Sequence, residues 1–309
     1  MSTADTTYNF DELAAVLNKY RRVYFEPLRG NHGDDLIKMA SRCFIADNNR
    51  NFTNSVSQAD VVVINGGGGM TEEWGFIKYI KSYILSGAKA IIIFPSSIHV
   101  NRAAIQEIVD LSLSRQCKLY VFAREIETYK RLAEFGELES YLSHDMAFYL
   151  KNKDVLKKYL RKVRGGGYSL VVERRDAEGR TSINKEIAYG IPLKEHIPIW
   201  MKRPVKRCLA SRNVETEFYQ RCRDIVISEG FGNGGIVAMD VSSKGLVSFR
   251  RFVNTVSQAD LVFTNRLHVC ILRSILGKSC YLLPTGGEYR KNESIYHHSM
   301  AQIEGIKLL

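Results

Sequence analysis

Asn54–Asn65 reads NSVSQADVVVIN, and Asn254–Asn265 reads NTVSQADLVFTN. Each phrase carries a polar Ser-Gln-Ala-Asp stretch, the expected end of a helix, into a run of apolar residues that stops at an asparagine. Strands that are apolar at successive positions, without polar alternation, are covered on both faces, as in parallel sheets packed between helices. Working outward from Val61–Asn65, strands of the same kind are predicted at Arg22–Phe25, Ala90–Phe94 and Leu119–Ala123. Helical patterns at Asp34–Ala46, Glu72–Ser86, Asn101–Ser114 and Glu125–Phe135 separate them. Around Leu261–Asn265 the style recurs in Ser169–Glu173, Ile236–Asp240 and Cys280–Leu283. Alternating strands and helices predict an α/β fold with parallel sheets. The repeated phrase predicts two similar domains.

A chain of 309 residues has room for two such domains. Lys151–Arg164 carries seven basic residues and one acid, then runs into Gly165–Gly167. This reads as a basic helix and a junction between an N-terminal domain, 1–164, and a C-terminal domain, 165–309. The basic stretch serves either as a solvated helix end and linker or as a surface for an anionic membrane or lipid-linked diphosphate. A further basic cluster spans Lys202–Arg207 and Arg212–Arg223.

Lys and Arg number 44 against 33 Asp and Glu, a net +11, which excludes an acidic solvating protein and points to anionic partners. The longest apolar runs, Val61–Ile64 and Ala90–Phe94, fall far short of the roughly 20 residues of a membrane span. The N-terminus lacks the pattern of a secretory signal. The six cysteines lack CxxC spacing and read as reduced thiols. A cytoplasmic protein without metal or cofactor is expected, peripheral to the inner face of the plasma membrane if the basic stretch docks there. Nucleic acid is not an expected partner, because Lys151–Arg164 interleaves one aromatic, Tyr159, with its charges.

In open parallel sheets ligands bind beyond the carboxyl ends of strands, so chemistry is sought there. After the first strand, Arg29–Ile37 reads RGNHGDDLI, where Asn31 and Asp34 suit a helix cap and Gly30 and Gly33 a sharp turn. This is either a plain capped turn or a cradle for a phosphate or a sugar, with Asn31, His32 and Asp34 as contacts. After the second strand comes the glycine turn NGGGGM, Asn65–Met70, followed by Glu72. Four glycines in a row imply close approach of something to the backbone, and the nearby acid suits sugar hydroxyls, with Gly67, Gly68 and Glu72 as contacts. His99 ends the third strand region and is either structural or catalytic. Arg124 ends the fourth, and Arg174 and Arg175 end the first strand of the second half. The most informative segment is TNRLHVCILRSILGKS, Thr264–Ser279. It places Asn265, Arg266, Leu267 and His268 at a helix N-terminus, where backbone N–H groups, guanidinium and imidazole converge on an anion and on a proton to be moved. Tyr289-Arg290-Lys291 add cationic groups after the next strand.

GNHGDDLI, the glycine run after VVVIN, FAREIETY, HDMAFYL, NRLHVCILRSILGKS and YRKNESIY, in that order, together resemble the polysaccharide pyruvyl transferase family. The resemblance covers about Tyr24 to Met300. It implies two Rossmann-like domains facing a cleft, as in GT-B-type glycosyltransferases, with the acceptor on the N-terminal side and the donor on the C-terminal side. It also implies transfer of pyruvate from phosphoenolpyruvate, as co-substrate, onto two hydroxyls of a sugar in a surface polysaccharide or its lipid-linked precursor. The family's RLH motif falls on Arg266, Leu267 and His268 and implies donor binding and catalysis there; the family's other donor arginine falls on Arg174, Arg175 or Arg124. Pro95-Ser96-Ser97 departs from the family's usual Pro-Gln-Ser turn and bears on the acceptor. The alternatives to this reading are a GT-B glycosyltransferase using a nucleotide sugar, with Asp240 on the ribose, and a basic nucleic-acid-binding module.

Overall fold

The computed structural model describes residues 8–71, 76–160, 167–174, 217–228, 235–242, 244–245, 247–284 and 290–309. The chain divides into two compact units: unit 1 takes Met1–Gly30, Asp34–Lys151 and His297–Ser299, and unit 2 takes Asn31–Gly33, Asn152–Tyr296 and Met300–Leu309.

Unit 1 is built from strands β1 (Arg22–Glu26), β2 (Asn51–Thr53), β3 (Val61–Ile64), β4 (Gly67–Thr71), β5 (Ala90–His99), β6 (Lys118–Ala123) and β7 (Glu139–Leu142). Its helices are α1 (Asp11–Leu17), α2 (His32–Asp47, the first two residues counting with unit 2), α3 (Phe76–Leu85), α4 (Arg102–Ser114) and α5 (Ile126–Leu132). The strands run parallel in the order β2-β1-β3-β5-β6-β7, with β4 also pairing β5. Ile64, Ile91, Ile93 and Val121 of the sheet are buried against Ile80 and Ile84 of α3, Ile105 and Val109 of α4 and Leu132 of α5. At the alternate positions Val63, Ile92, Phe94 and Phe122 are buried as well, Phe94 edge-on to Phe44 of α2, so both faces are covered as the unalternating strand pattern demands.

Unit 2 holds β8 (Ser169–Val172), β9 (Ile236–Ala238), β10 (Leu261–Thr264), β11 (Cys280–Leu282) and β12 (Ile306–Leu308). Its helices are α6 (Glu217–Ser228), α7 (Phe249–Gln258), α8 (Leu267–Ile275) and α9 (Lys291–Ser299, the last three residues counting with unit 1). The sheet is parallel, ordered β12-β11-β10-β8-β9. Read from β9, its strands follow the sequence second, first, third, fourth, fifth; unit 1 read from β2 follows the same order, with β5 and β6 as fourth and fifth. VSQAD precedes the third strand in both, so the two copies occupy the same topological place. Each unit is a Rossmann-like α/β sheet. Among the described residues no helix is long and apolar enough to cross a membrane.

Several elements differ from expectation for local reasons. The first VSQAD lies in a 3-10 turn, Val56–Gln58, held by Ser55 accepting from the Ser57 N–H, whereas the second ends α7. Only two residues separate β2 from that turn, too few for a helix. β5 does not stop at Phe94 but continues through Pro95 to His99, with a register shift between Ile93 and Ser96. Proline has no N–H to give to a ladder, so pairing slips around it. The glycine run forms β4, not a turn, and a Cβ on Gly66 would sit 2.3 Å from the Pro95 carbonyl oxygen. The close approach that requires glycine at Gly66 is therefore made by the chain's own backbone. Within the basic stretch, Asp154–Tyr159 forms a 3-10 helix, not the expected α-helix. Lys153 and Lys157 would repel one another at i,i+4 of an α-helix. Residues 161–166 lie outside the described residues.

Candidate active site

A parallel sheet of this strand order changes winding direction between its first and third strands, and ligands bind in the crevice beyond their carboxyl ends. In unit 2 those strands are β8 and β10. Side chains bind the two ends together: Asn265 accepts the Arg174 N–H at 2.6 Å and donates to the Arg174 carbonyl at 3.4 Å. Thr264 donates to the Val172 carbonyl and accepts the Arg266 N–H, each at 2.9 Å. Asn292, fully buried on α9, donates to the Asn265 and Leu283 carbonyls. The two loops and the start of α9 thus form one connected rim. Nothing in the isolated YRKNESIY motif marks Asn292 as the residue that ties it.

Arg266 is the N-cap of α8. Its side chain is only 10% exposed, and Nη2 donates to Asp240 Oδ2 at 2.5 Å. Its Nε is buried and has no hydrogen-bond partner among the described residues. Leaving a charged donor buried and unmet is costly, which makes this guanidinium a candidate position for a ligand oxygen. Asp240 also accepts the Ser242 N–H through Oδ1, so it is braced from two sides. The carboxylate that the nucleotide-sugar alternative needs for ribose is instead the partner of Arg266. Leu267 is buried, and what it offers a ligand is its backbone N–H at the helix start. His268 is half-buried one residue on, and Lys291 opens α9.

Residues 31–33, which count with unit 2, lie against this rim. Asn31 caps α2 by accepting the Gly33 N–H at 2.6 Å. His32 is 4% exposed; its N–H donates to the Ser242 carbonyl, its Nε2 lies 2.9 Å from the Val247 carbonyl, and its ring stacks on Phe252. Both expected sugar contacts therefore have structural duties. A Cβ on Gly33 would fall 2.6 Å from Nδ1 and 2.7 Å from Cβ and Cγ of His268.

In unit 1 the corresponding crevice lies beyond β1 and β3. Asp34 brings the two glycine stretches together: a Cβ on Gly30 would overlap its carboxylate, and one on Gly67 would lie 3.7 Å from its Oδ1. Gly68 is half-buried beside it in sequence. Asn65 ends β3 fully buried, with Oδ1 taken by Ser41 and Nδ2 lacking a partner among the described residues. His99 is exposed at the end of β5, with Nδ1 3.4 Å from Arg131 Nη1. Arg124 is 1% exposed, bonded to Ser97 at 2.8 Å and ion-paired with fully buried Asp145 at 2.6 Å. Its charge is met by these partners inside unit 1. The pair joins FAREIETY to HDMAFYL. Glu72 and Arg175 lie outside the described residues. Among the described residues no three His, Cys, Asp or Glu gather as a metal site.

The chain is similar over its length to the crystal structure of a functionally uncharacterised protein from Klebsiella pneumoniae subsp. pneumoniae NTUH-K2044, with TM-score 0.63 at 20% identity, covering 97% of this chain and 96% of that one. A fainter likeness, TM-score 0.33 at 11% identity over 93% and 92% of the two chains, is to the E. coli heptosyltransferase WaaC with ADP-2-deoxy-2-fluoro heptose. No curated protein matches. The family model for polysaccharide pyruvyl transferase matches residues 5–286, and on that match the chain belongs to the polysaccharide pyruvyl transferase family and is a transferase acting on polysaccharide.

Proposed function

We propose that the protein moves pyruvate from phosphoenolpyruvate onto two hydroxyls of one sugar, in a surface polysaccharide or its lipid-linked precursor, closing a cyclic ketal. The observation that carries this reading is the buried, unpartnered Nε of Arg266 at the start of α8, two residues before His268. Arg266 and the first N–H groups of α8 bind the donor's phosphate or carboxylate, and Asn265, Arg174, Arg175 and Lys291 are the further donor contacts of this reading. His268 delivers a proton to the methylene carbon, which leaves cationic character at C2. One sugar hydroxyl adds to C2 and gives up its proton; the C2–O bond to phosphate breaks and inorganic phosphate leaves. The second hydroxyl then adds to C2, loses its proton and closes the ketal. The N-terminal domain, 1–164, offers Asp34, Gly67, Gly68 and Glu72 to the acceptor, with His99 as its acceptor-side catalyst. The C-terminal domain, 165–309, holds the donor. A lipid-linked acceptor would bring the basic stretch at Lys151–Arg164 to the inner face of the plasma membrane.

Calorimetric titration with phosphoenolpyruvate tests the donor site. Wild-type protein binds it, and Arg266→Ala loses binding and transfer while keeping its circular dichroism spectrum. Binding of a nucleotide sugar in place of phosphoenolpyruvate, or wild-type affinity in Arg266→Ala, overturns the reading.

A further inference from the structure

We propose that Gly33 is a positioning residue for His268: position 33 is glycine because the imidazole occupies the space that its Cβ would take. The proposal rests on the donor-site reading above for its catalytic consequence, but its geometry stands alone. Gly33 lies inside the first turn of α2 and has no positive φ, so backbone freedom does not explain the choice of residue. What explains it is crowding. The three atoms nearest to a Cβ at this position are Nδ1, Cβ and Cγ of His268, all within 2.7 Å, a separation that real Cβ atoms do not show. The imidazole base and Cβ are not the far end of a flexible chain, so they cannot swing aside without turning the whole side chain.

The segment carrying Gly33 is fixed independently of His268. The His32 N–H is held by the Ser242 carbonyl and its Nε2 faces the Val247 carbonyl. Its ring is stacked 5.5 Å from Phe252 and set edge-on to Phe249 at 5.8 Å. Asn31 closes the turn on the Gly33 N–H. Ser242, in turn, gives its N–H to Asp240, which holds Arg266. One chain of bonds therefore sets the floor beneath the imidazole and the orientation of the guanidinium. A methyl group at position 33 lifts the imidazole from this floor. A misplacement of about 1 Å costs an active site on the order of 10²-fold.

Gly33→Ala is expected to lower kcat for ketal formation by about 10- to 100-fold, while the KM for phosphoenolpyruvate changes little, because Arg266 keeps its partner. In ¹H–¹³C spectra the His268 imidazole resonance, assigned by its loss in His268→Ala, moves in Gly33→Ala. It stays in place in Gly136→Ala, where a Cβ meets nothing within 4 Å. A thermodynamic cycle needs no activity: Gly33→Ala lowers the unfolding midpoint of the wild type but is tolerated in a His268→Gly background, where the obstructing atoms are gone. Equal losses in both backgrounds, or an unmoved His268 resonance with wild-type kcat, overturn the proposal. Wild-type protein that makes no ketal from phosphoenolpyruvate overturns the donor reading alone, since the cycle and the spectra still test the placement of His268.

Discussion

At the scale of single residues, two of the arginines that the sequence offers for the donor separate by environment. Arg266 keeps one guanidinium nitrogen buried and unmatched, whereas Arg124 is matched by Asp145 and Ser97 in the interior of unit 1. Removing one partner of a buried ion pair strands the other charge, at about 3–5 kcal/mol. Arg124→Met is therefore expected to lower stability by that order in denaturant titration, and Arg124→Met with Asp145→Leu to recover part of the loss. Phosphoenolpyruvate binding by whatever fraction remains folded is unchanged. A fully stable Arg124→Met that no longer binds phosphoenolpyruvate would return Arg124 to the donor site. Gly66, Gly30 and Gly33 show a related lesson. Gly66 and Gly33 are glycine because something that cannot easily move occupies the Cβ position, the Pro95 carbonyl and the His268 imidazole in turn, whereas at Gly30 the occupant is the mobile end of the Asp34 side chain.

At the scale of elements, the C-terminal end of α9 packs in unit 1 through a histidine pair. His144 and His298 stack at 4.8 Å with 16° between their planes. His144 meets Ser299 Oγ at 2.9 Å, and His298 meets the Ser143 carbonyl at 3.0 Å. Burial first, then the neighbouring His298, pushes His144 down to about 4, and burial also lowers His298. Both rings are neutral in the folded protein near neutrality, while in the unfolded chain they take up protons below about 6.5. Their contribution to stability is thus complete above about pH 6.5 and is lost as pH falls from there towards about 4. The unfolding midpoint is expected to drop over this window, and His144→Phe to flatten the drop; an unchanged slope would contradict the assignment. The sequence carries the central elements well, because β1, β3, β6, β8, β10 and β11 are short apolar runs bounded by turn residues. It does not disclose β2, β7 and β12, whose three or four residues NFT, ESYL and IKL lack a pattern of their own and pair because a neighbour is already in place. Nor does it disclose that the two VSQ copies take different conformations. The second ends α7 where buried Arg273, eight residues beyond the phrase, gathers the Val256, Ala259 and Asp260 carbonyls, whereas the first follows β2 after only two residues.

At the scale of the whole molecule, the duplicated phrase points to two equivalent sheets, and the common strand order realises that equivalence. The candidate site is legible where its residues are neighbours in the chain. Asn265, Arg266, Leu267 and His268 come after one strand and open one helix, and strand-end reasoning alone finds them. Gly33 and Asp240 are not legible as partners of His268 and Arg266, because their proximity is made by tertiary structure between distant parts of the sequence. The net charge of +11 is likewise not a property of the site: Arg266 is paired, and much of the basic excess lies at Lys151–Arg164 and Lys202–Arg207. Transfer of pyruvate from phosphoenolpyruvate to a sugar is read out in a single assay. The protein is incubated with phosphoenolpyruvate and candidate saccharides, free and lipid-linked, while inorganic phosphate release and the mass of the acceptor are measured together. The account predicts acceptor-dependent phosphate release, matched one to one by a mass gain of one ketal-linked pyruvyl group, both absent in Arg266→Ala. Phosphate release without a modified sugar, or a sugar product formed equally well by Arg266→Ala, would contradict it.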